Sequence, residues 1–350
     1  MRIAVFCPNW VGDVVMATPA MRAIRETFSD AKITGIMRPN VAGVLDGLDL
    51  VDGRLLHNPR GQTPDERGWR FACRLRKYQF DLAVLFPNSF RTAMLAMLSG
   101  AKRRVGFNRN GRGWMLTDRL KSKSRRMPNP VIDEYLRLAE HLGCENLSRR
   151  IELATTAEDE RRLDRFWQQQ VNGSAAARGV VCFNPGGAFG SAKHWPVSSF
   201  AGLAKTVVER LGKSVLVLCG PAERDEAREI VRLADNPCVF SLADEQVCLG
   251  LTKAAVSRSE LLITTDSGPR HFAPPFGVPV VTLFGPTHIA WSETSYDRAV
   301  HLQIGVDCGP CQKRTCPLDH HRCMRDLSVD HVFRAAASLL SQFPSRRAAA

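Results

Sequence analysis

Residues 260–287 read ELLITTDSGPRHFAPPFGVPVVTLFGPT and contain two short apolar runs separated by a turn and a short helical pattern. The runs 261–265 and 279–284 consist mostly of apolar and β-branched residues. Such runs are typical of strands in a parallel sheet that is covered on both faces. The stretch therefore predicts a strand, a tight turn, a short helix and a second strand with few residues to spare.

The turn of this stretch carries Asp266, Ser267 and Gly268. Asp266 and Ser267 are candidate N-caps, and the glycine allows the backbone to bend or to approach a ligand closely. A helix that begins here directs its unpaired N–H groups toward an anion such as a diphosphate, which His271 in the first turn also reaches. The alternative is that strand, turn and helix are ordinary punctuation of an α/β protein.

Strands and helices alternate along the whole chain, which indicates parallel, doubly wound sheets. The predicted strands are 2–7, 33–37, 54–57, 82–86, 103–107, 180–184, 213–219, 238–242, 261–265 and 279–284. The predicted helices are 14–28, 41–48, 65–78, 90–98, 133–142, 157–170, 197–211, 225–234, 246–257 and 328–340. Because the alternation restarts after a small, polar segment, we predict an α/β protein with two Rossmann-like domains that face each other across a cleft.

The predicted domain boundaries follow from that restart. They are 1–170 for the N-terminal domain, 171–179 for the linker, 180–327 for the C-terminal domain with a cysteine-rich segment at 308–323, 328–340 for a helix that packs back on the fold, and 341–350 for a disordered tail.

The loop 186–193 has the composition of a phosphate-binding loop. It combines three glycines, including Gly187, with the hydroxyl of Ser191 and the ammonium group of Lys193. Exposed backbone amides and a nearby cation suit a diphosphate. The alternative is a flexible turn without a ligand.

Two carboxylates stand in other loops that follow predicted strands, where ligands of doubly wound sheets bind. Asp13 comes after the first strand, and it either caps the helix that follows or acts as a general base. Glu223 either accepts hydrogen bonds from ribose hydroxyls or is simply an acidic residue at a helix N-terminus.

The charge of the chain is strongly positive, with 48 Lys and Arg against 35 Asp and Glu and a net charge of +13. This balance is compatible with a nucleic acid, an anionic membrane surface or an acidic substrate. Arg103, Arg104, Lys121 and Lys123 lie in two basic clusters that predict a binding face for an acidic partner. The alternative is a solvated surface.

The N-terminus does not predict a secretory signal, because the apolar run 3–6 is short and is followed by Pro8 and Asn9. Nor does any segment reach the ~18–20 apolar residues of a membrane span. We therefore expect a cytoplasmic protein, in which the 11 cysteines are buried or metal-binding thiols and not a disulfide framework.

Four cysteines and two histidines are concentrated in residues 308–323. Cys308, Cys311, Cys316 and Cys323 have the ligand types of a structural zinc site, although the spacing is tight. The metal-free alternatives are thiols that pack a loop or that form a redox-labile disulfide.

Several motifs together resemble those of the ADP-heptose:lipopolysaccharide heptosyltransferases, glycosyltransferase family nine, and are most similar to its heptosyltransferase II branch. The motifs are NWVGD at 9–13, TPA at 18–20, NPGGAFGSAKHWP at 184–196, TDSGPRH at 265–271, GVPV at 277–280 and LFGPT at 283–287. The resemblance implies a GT-B fold and a metal-independent, inverting transfer of L-glycero-D-manno-heptose from ADP-heptose. It also implies an acceptor in the inner core of lipopolysaccharide, Kdo–lipid A or heptosyl-Kdo–lipid A, at the cytoplasmic face of the inner membrane.

The resemblance also assigns roles to residues. It implies that the N-terminal domain binds the acceptor, with Asp13 as the base on the acceptor hydroxyl and the basic clusters near phosphates or anionic lipid headgroups. It implies that the C-terminal domain binds the ADP-sugar, with Lys193 at the phosphates and Glu223 or Glu226 at the ribose. It places Asp266, Ser267, Gly268 and His271 around the diphosphate and sugar. Pro269 departs from the usual pattern and removes one N–H from the turn.

Two other functions remain open from the sequence. A nucleotide-sugar 2-epimerase also uses two Rossmann-like halves, and it would isomerise the sugar instead of transferring it. A basic nucleic-acid-binding protein would explain the charge, but it gives no purpose to Asp13, the loop 186–193 or the turn at 266–271. We therefore expect no nucleic-acid partner.

Overall fold

The computed structural model describes residues 1–123, 127–170, 178–187 and 189–344. The chain forms two compact units. The first consists of Met1–Ala154 with Ala290–Thr294, and the second of Thr155–Ile289 with Ser295–Ala350. Each unit contains one parallel sheet, which confirms the predicted α/β class.

The sheet of the first unit has the strand order β3-β2-β1-β4-β5-β6. Its strands are β1 Arg2–Phe6, β2 Lys32–Met37, β3 Gly53–Leu56, β4 Leu82–Leu85, β5 Arg103–Phe107 and β6 Asp118–Leu120. This is the doubly wound order, in which the winding reverses between β1 and β4. Ligands of such sheets bind outside the carboxyl ends of the strands at that switch point.

The sheet of the second unit has the order β12-β11-β10-β7-β8-β9, which is the same winding read from its own first strand. Its strands are β7 Val180–Asn184, β8 Ser214–Val217, β9 Val239–Ser241, β10 Leu261–Thr265, β11 Val280–Phe284 and β12 Ala299–Gln303. The switch point therefore lies between β7 and β10, which pair in register from Leu261 and Val181 to Thr264 and Asn184.

The described α-helices connect the strands. In the first unit they are α1 Val11–Thr27, α2 Pro39–Ala42, α3 Gly68–Arg76, α4 Phe90–Leu98 and α5 Val131–His141. In the second they are α6 Ala157–Gln169, α7 Val197–Leu211, α8 Arg224–Ala234, α9 Leu249–Ser257, α10 Ala273–Phe276, α11 Arg322–Arg325 and α12 Val329–Gln342. No helix among the described residues is long and apolar enough to span a bilayer.

The predicted strands all occur, with their ends shifted by two residues at most, whereas β6 and β12 were not predicted. β6 has only three residues, DRL, and stands in a basic stretch without an apolar run. β12 is an edge strand whose side chains are mostly half-buried. Both strands lack the continuous apolar pattern that identifies the central strands.

Helix α6 lies in the second unit, although the predicted N-terminal domain extended to residue 170. Its predicted range of 157–170 agrees with the structure to within one residue, and Thr156 and Asp159 form a capping box at its N-terminus. The apolar face of α6 packs on α9, and the Trp167 ring contacts the Phe240 ring edge-on at 5.6 Å. This packing moves the boundary between the units to residues 154 and 155.

The ends of the prediction fall partly outside the described residues. Of the predicted linker 171–179, residues 171–177 are not described, and the same holds for residues 345–350 of the predicted tail. Residues 341 and 342, which the tail was expected to include, instead form the last two residues of α12. α12 packs on α7 and against the ends of β10 and β11.

Trp195 joins the loop after β7 to the core of the second unit. Its side chain is fully buried and contacts the Phe200 ring edge-on at 4.8 Å. Its indole Nε1 donates a hydrogen bond to the backbone oxygen of Leu327 at 2.9 Å. The chain just after Lys193 is thereby fixed to the segment that precedes α12.

We predict that Trp195→Phe destabilises the protein by about 1–3 kcal/mol, because the buried carbonyl of Leu327 loses its donor. Trp69→Phe is the matched control, since Trp69 is 71% exposed on α3, and its effect should stay within about 0.5 kcal/mol. Urea unfolding followed by far-UV circular dichroism measures both. Equal midpoints for the two variants would contradict the role assigned to Trp195.

Candidate functional site

Asn184, the last residue of β7, connects the two loops that leave the switch point. Its side-chain amide donates to Ser267 Oγ at 2.8 Å, and it also reaches Thr264 Oγ1 and the backbone oxygen of Gly186, each at 3.2 Å. These bonds draw the turn after β10 against the loop after β7. A Cβ atom built on Gly187 would lie 3.4 Å from the Cβ of Ser267, so the two loops face each other with little between them.

Lys193 forms the ion pair of this site. Its Nζ atom lies 2.5 Å from Asp266 Oδ2 and 2.9 Å from the backbone oxygen of Asp266. Lys193 is only 8% exposed. Thr287 Oγ1 donates to the same carboxylate at 2.6 Å, and Arg270 approaches Asp266 Oδ1 at 3.4 Å. The loops after β7, β10 and β11 therefore converge on one carboxylate.

The carboxylate of Asp266 is ionised at neutral pH. Burial alone would raise its pKa, but the charges of Lys193 and Arg270 and the hydrogen bonds it accepts hold the pKa below the usual value. An ionised carboxylate does not attract a phosphate, so we infer that Asp266 orients the cations around it. The ammonium group of Lys193 is thereby fixed in position at the end of the loop 186–193.

His271 is buried and lies close to these charges. Burial, together with the positive charge of Arg270, lowers its pKa well below the usual value. The imidazole is therefore neutral at physiological pH. It can take part in hydrogen bonds to a ligand, but it adds no positive charge to the site.

The helix predicted at residue 268 is a 3₁₀ turn, Gly268–Phe272, followed by the single α-turn of α10. Ser267 occupies the N-cap position but makes no side-chain capping bond, because its Oγ accepts the bond from Asn184. Pro269 removes a further N–H. So short a turn aligns few peptide groups, so its dipole is weaker than that of the helix predicted here. Side-chain cations have to supply the charge.

Glu223 and Glu226 lie at the start of α8, on the other side of the loop after β7. Glu223 Oε2 accepts a hydrogen bond from the Gly220 amide at 2.6 Å, and its side chain fills the space where a Cβ of Gly186 would stand. Burial raises the pKa of Glu226, while the nearby His194 opposes the rise. Both carboxylates adjoin the loop, and the side chain of Glu223 lies against Gly186.

Ser191, the other polar residue predicted in this loop, begins the 3₁₀ turn Ser191–Lys193 and is exposed. Its hydroxyl is therefore open to solvent beside the buried Lys193.

Asp13 lies in the first turn of α1, after the carboxyl end of β1. The N-cap position of α1 is occupied by Trp10, so Asp13 is an acidic residue of the first turn and not the N-cap residue itself. Asp13 is half-buried, and its charge adds to the effect of burial in raising the pKa of Tyr135. The carboxylate therefore stands at the switch point of the first unit, with the Tyr135 hydroxyl group nearby.

Pro19 lies in the interior of α1, where a proline leaves the backbone oxygen four residues earlier without its usual partner. The Thr18 hydroxyl donates to that oxygen, on Val15, at 2.7 Å. Thr18 Oγ1 also accepts from the Glu152 amide at 2.9 Å. The TPA motif thus keeps the helix that carries Asp13 continuous and ties it to the end of the unit.

The four basic residues predicted to bind an acidic partner lie at opposite edges of the first sheet. Arg103 and Arg104 begin β5, at the amino edge, where Arg103 pairs with Asp118 and Arg104 donates to backbone oxygens. Lys121 and Lys123 follow β6 at the carboxyl edge and are exposed. Only the two lysines stand at the edge where a doubly wound sheet binds ligands. Residues 124–126 of the same basic stretch lie outside the described part of the chain.

Arg112 is a buried residue of the same carboxyl edge that the sequence did not single out. Its guanidinium donates to the backbone oxygens of Phe107 and Pro87 and to Asn88 Oδ1. Burial and the charge of Arg109 lower its pKa to about 10. It holds together the loops that follow β4 and β5.

The four cysteines of the segment 308–323 line one small cavity. All are free thiols, and Cys308 Sγ lies 3.7 Å from His320 Nε2. Burial and the neighbouring thiols raise the pKa of Cys323. Within the described ranges, however, no three His, Cys, Asp or Glu side chains stand close enough to hold a metal ion.

Comparison with known proteins points in one direction. The profile of glycosyltransferase family 9 (heptosyltransferase) matches residues 68–322. The chain is 27% identical to lipooligosaccharide heptosyltransferase 2 of Campylobacter jejuni over 97% of this chain and 98% of that protein. It is 26% identical to lipopolysaccharide heptosyltransferase 2 of Escherichia coli over 98% and 99%. The structure of E. coli ADP-heptose lps heptosyltransferase II superposes with a TM-score of 0.80 at 20% identity, over 99% of this chain and 100% of that chain. This likeness confirms the predicted GT-B class.

The lowered pKa of His271 makes stability depend on pH. The folded protein holds the imidazole neutral, while the unfolded chain takes up a proton below a pKa of about 6.5. Stability should therefore fall as the pH drops below about 6.5. The midpoint of urea unfolding should fall between about pH 7.5 and about pH 5.5, and we predict that this fall is smaller in His271→Gln than in the wild type.

His331→Gln is the control for this measurement, because His331 is exposed on α12. Its loss of midpoint should equal that of the unmodified protein. His57, whose pKa burial and the charges of Arg91 and Arg38 lower to about 4, retains part of the pH dependence in both variants. An unchanged loss in the His271 variant would show that its imidazole is not held neutral.

Proposed function

Because the chain belongs to glycosyltransferase family 9, the heptosyltransferases, we propose that it transfers L-glycero-D-manno-heptose from ADP-heptose to the inner core of lipopolysaccharide. The observation that carries this proposal is the Lys193–Asp266 pair at the switch point between β7 and β10. It provides a fixed cation where a sheet of this winding binds a nucleotide. The acceptor would be Kdo–lipid A or heptosyl-Kdo–lipid A.

In the proposed donor site, Lys193 binds the diphosphate and stabilises the charge that builds on departing ADP. The backbone of Gly187 and Gly268 and the hydroxyls of Ser191 and Ser267 add hydrogen bonds. His271 contributes as a neutral hydrogen-bonding group, as its lowered pKa requires. Glu223 accepts from the ribose hydroxyls, since its side chain already lies against Gly186 in the loop after β7. Glu226 remains the alternative ribose ligand.

The proposed chemistry is a single displacement that inverts the anomeric carbon. Asp13 removes the proton from the acceptor hydroxyl as that oxygen attacks the anomeric carbon, and the bond from that carbon to the diphosphate oxygen breaks. The half-buried position of Asp13 at the carboxyl edge of the first sheet supports this role. The step uses only residues of the chain and the two substrates.

The acceptor and the membrane provide the negative charge that the basic face would meet. Lys121 and Lys123, which are exposed at the carboxyl edge of the first sheet, would bind acceptor phosphates or anionic headgroups. Arg103 and Arg104 would not bind the acceptor, because they lie at the amino edge and are held by contacts within the unit. A lipid-linked acceptor would place the protein at the cytoplasmic face of the inner membrane.

We also propose that Cys308, Cys311, Cys316 and Cys323 bind one structural zinc ion. Four thiols around one cavity have the ligand type and number of such a site. The side chains would have to turn toward the cavity, since none of the described groups of three is close enough as it stands. No step of the transfer depends on this ion.

Elemental analysis of protein purified under reducing conditions tests the zinc site. We expect about one equivalent of zinc, lost in Cys311→Ser and in Cys316→Ser. Cys73→Ser is the control, because Cys73 is an exposed thiol on α3, and it should keep the metal. Metal-free wild-type protein that also takes up no added zinc would contradict the site.

The function is tested by incubation with ADP-heptose and heptose-bearing or heptose-free Kdo–lipid A, followed by mass analysis of the product. Addition of one heptose supports the proposal, and isomerised ADP-sugar without transfer would favour the epimerase. We predict that Asp13→Asn lowers turnover by about 10²–10⁴-fold, the usual contribution of a positioned base, while ADP-heptose binding is retained.

The control for this variant is Asp30→Asn, an exposed acid just beyond α1, whose turnover should equal that of the wild type. Turnover of Asp13→Asn near the wild-type rate would mean that another group is the base.

A further inference from the structure

The cysteine-rich segment packs directly on the glycine loop through Arg314. The Ala192 amide donates to the backbone oxygen of Arg314 at 3.1 Å. A Cβ on Gly190 would stand only 2.4 Å from that oxygen, and Gly190 has a φ of 149°. Residue 190 must therefore be glycine for the segment to approach so closely. The backbone of Arg314 is fixed against the loop that leads to Lys193.

The side chain of Arg314 shares an aromatic ring with Lys193. The guanidinium carbon lies 5.5 Å and Lys193 Nζ lies 4.4 Å from the centre of the Phe189 ring. Such contacts of a cation with a ring orient the cation without neutralising it. Two positive groups are thus gathered around one side chain of the proposed phosphate loop.

The two cations differ in their partners. Lys193 is buried against Asp266, whereas Arg314 is exposed and pairs with no carboxylate among the described residues. Asp266 offsets the positive charge of Lys193. A diphosphate diester carries one negative charge on each phosphate, so a second cation beside Lys193 suits this ligand. Arg314 has such a charge, and a guanidinium matches phosphate oxygens in a two-pronged geometry.

We propose that Arg314 is a second cation of the donor site and binds the diphosphate of the nucleotide sugar together with Lys193. This inference rests on the proposed function and adds a residue from outside the glycine loop and the turn after β10. The cysteine-rich segment would then serve as a support that presents Arg314 to the ligand.

The segment is already ordered for this task. The Gln312 amide donates to the backbone oxygen of Pro286 at 2.7 Å, which ties the segment to the turn after β11. A Cβ on Gly285, in the same turn, would collide with Met324 at 2.5 Å and approach Cys323 Sγ at 3.3 Å. The backbone that carries Arg314 thus needs no ordering when the ligand arrives, so its contacts add to affinity without that cost.

Calorimetric titration of the full-length protein with ADP and with adenosine tests the inference. Arg314→Ala should weaken ADP binding by about 10–100-fold, the usual effect of losing a charge-assisted hydrogen bond, and leave adenosine binding unchanged. The ADP affinity of Arg314→Lys should lie between those of the wild type and Arg314→Ala, because an ammonium group keeps the positive charge but cannot make the two parallel hydrogen bonds of a guanidinium. Lys313→Ala is the control, since Lys313 is an exposed cation next in the chain, and it should bind ADP like the wild type.

The possible outcomes separate this inference from the proposed function. Arg314→Ala keeps the backbone oxygen that Ala192 bonds, so its unfolding temperature without ligand should match that of the wild type. If it binds ADP as tightly as Lys313→Ala does, or loses ADP and adenosine equally, the inference is overturned while the proposed function stands. If the wild-type protein binds no ADP, the proposed function fails and this inference fails with it.

Discussion

The ion pair between Lys193 and Asp266 is the constraint around which the second unit is arranged. Lys193 is only 8% exposed, so its ammonium group loses hydration and is tolerated only with a charged partner and further hydrogen bonds. Asp266 supplies the partner, Thr287 donates to the same oxygen Oδ2 of that carboxylate, and Arg270 approaches Oδ1. Because the two charges come from loops after different strands, the pair fixes β7 and β10 as neighbours at their carboxyl ends. Asn184 reinforces the same junction with uncharged bonds.

The fold could be predicted from the sequence wherever strands are central and buried on both faces. Residues 180–183 and 261–265 are continuous apolar or β-branched runs, and the structure gives β7 and β10 the predicted bounds 180–184 and 261–265. β6 and β12 were missed because edge strands need no such run. Helix α6 was predicted from its helical pattern at 157–170, but its unit depends on packing against α9, a contact between residues far apart in the chain.

The site was predictable in its residue types and less so in their roles. Loop position identified Asp13, Lys193 and Asp266, because polar residues after parallel strands gather at one edge. The choice of partner is a tertiary fact. Nothing local indicates that Asn184 bonds Ser267 in place of a helix cap, or that burial keeps His271 neutral. Arg103 and Arg104 were grouped with Lys121 and Lys123 by charge, which carries no information on which edge of a sheet a residue occupies.

The attachment of α6 to the second unit affects how that unit could be produced by itself. A fragment beginning at residue 180 would keep Phe240 and α9 but would lack Leu163, Phe166 and Trp167, the buried apolar residues of α6 that lie on the α6 side of this contact. Those surfaces would then form an uncovered apolar patch, which favours self-association and precipitation. A fragment that starts before the capping box at Thr156 retains α6, which covers this apolar surface. Such a fragment is better suited to crystallisation or ligand screening.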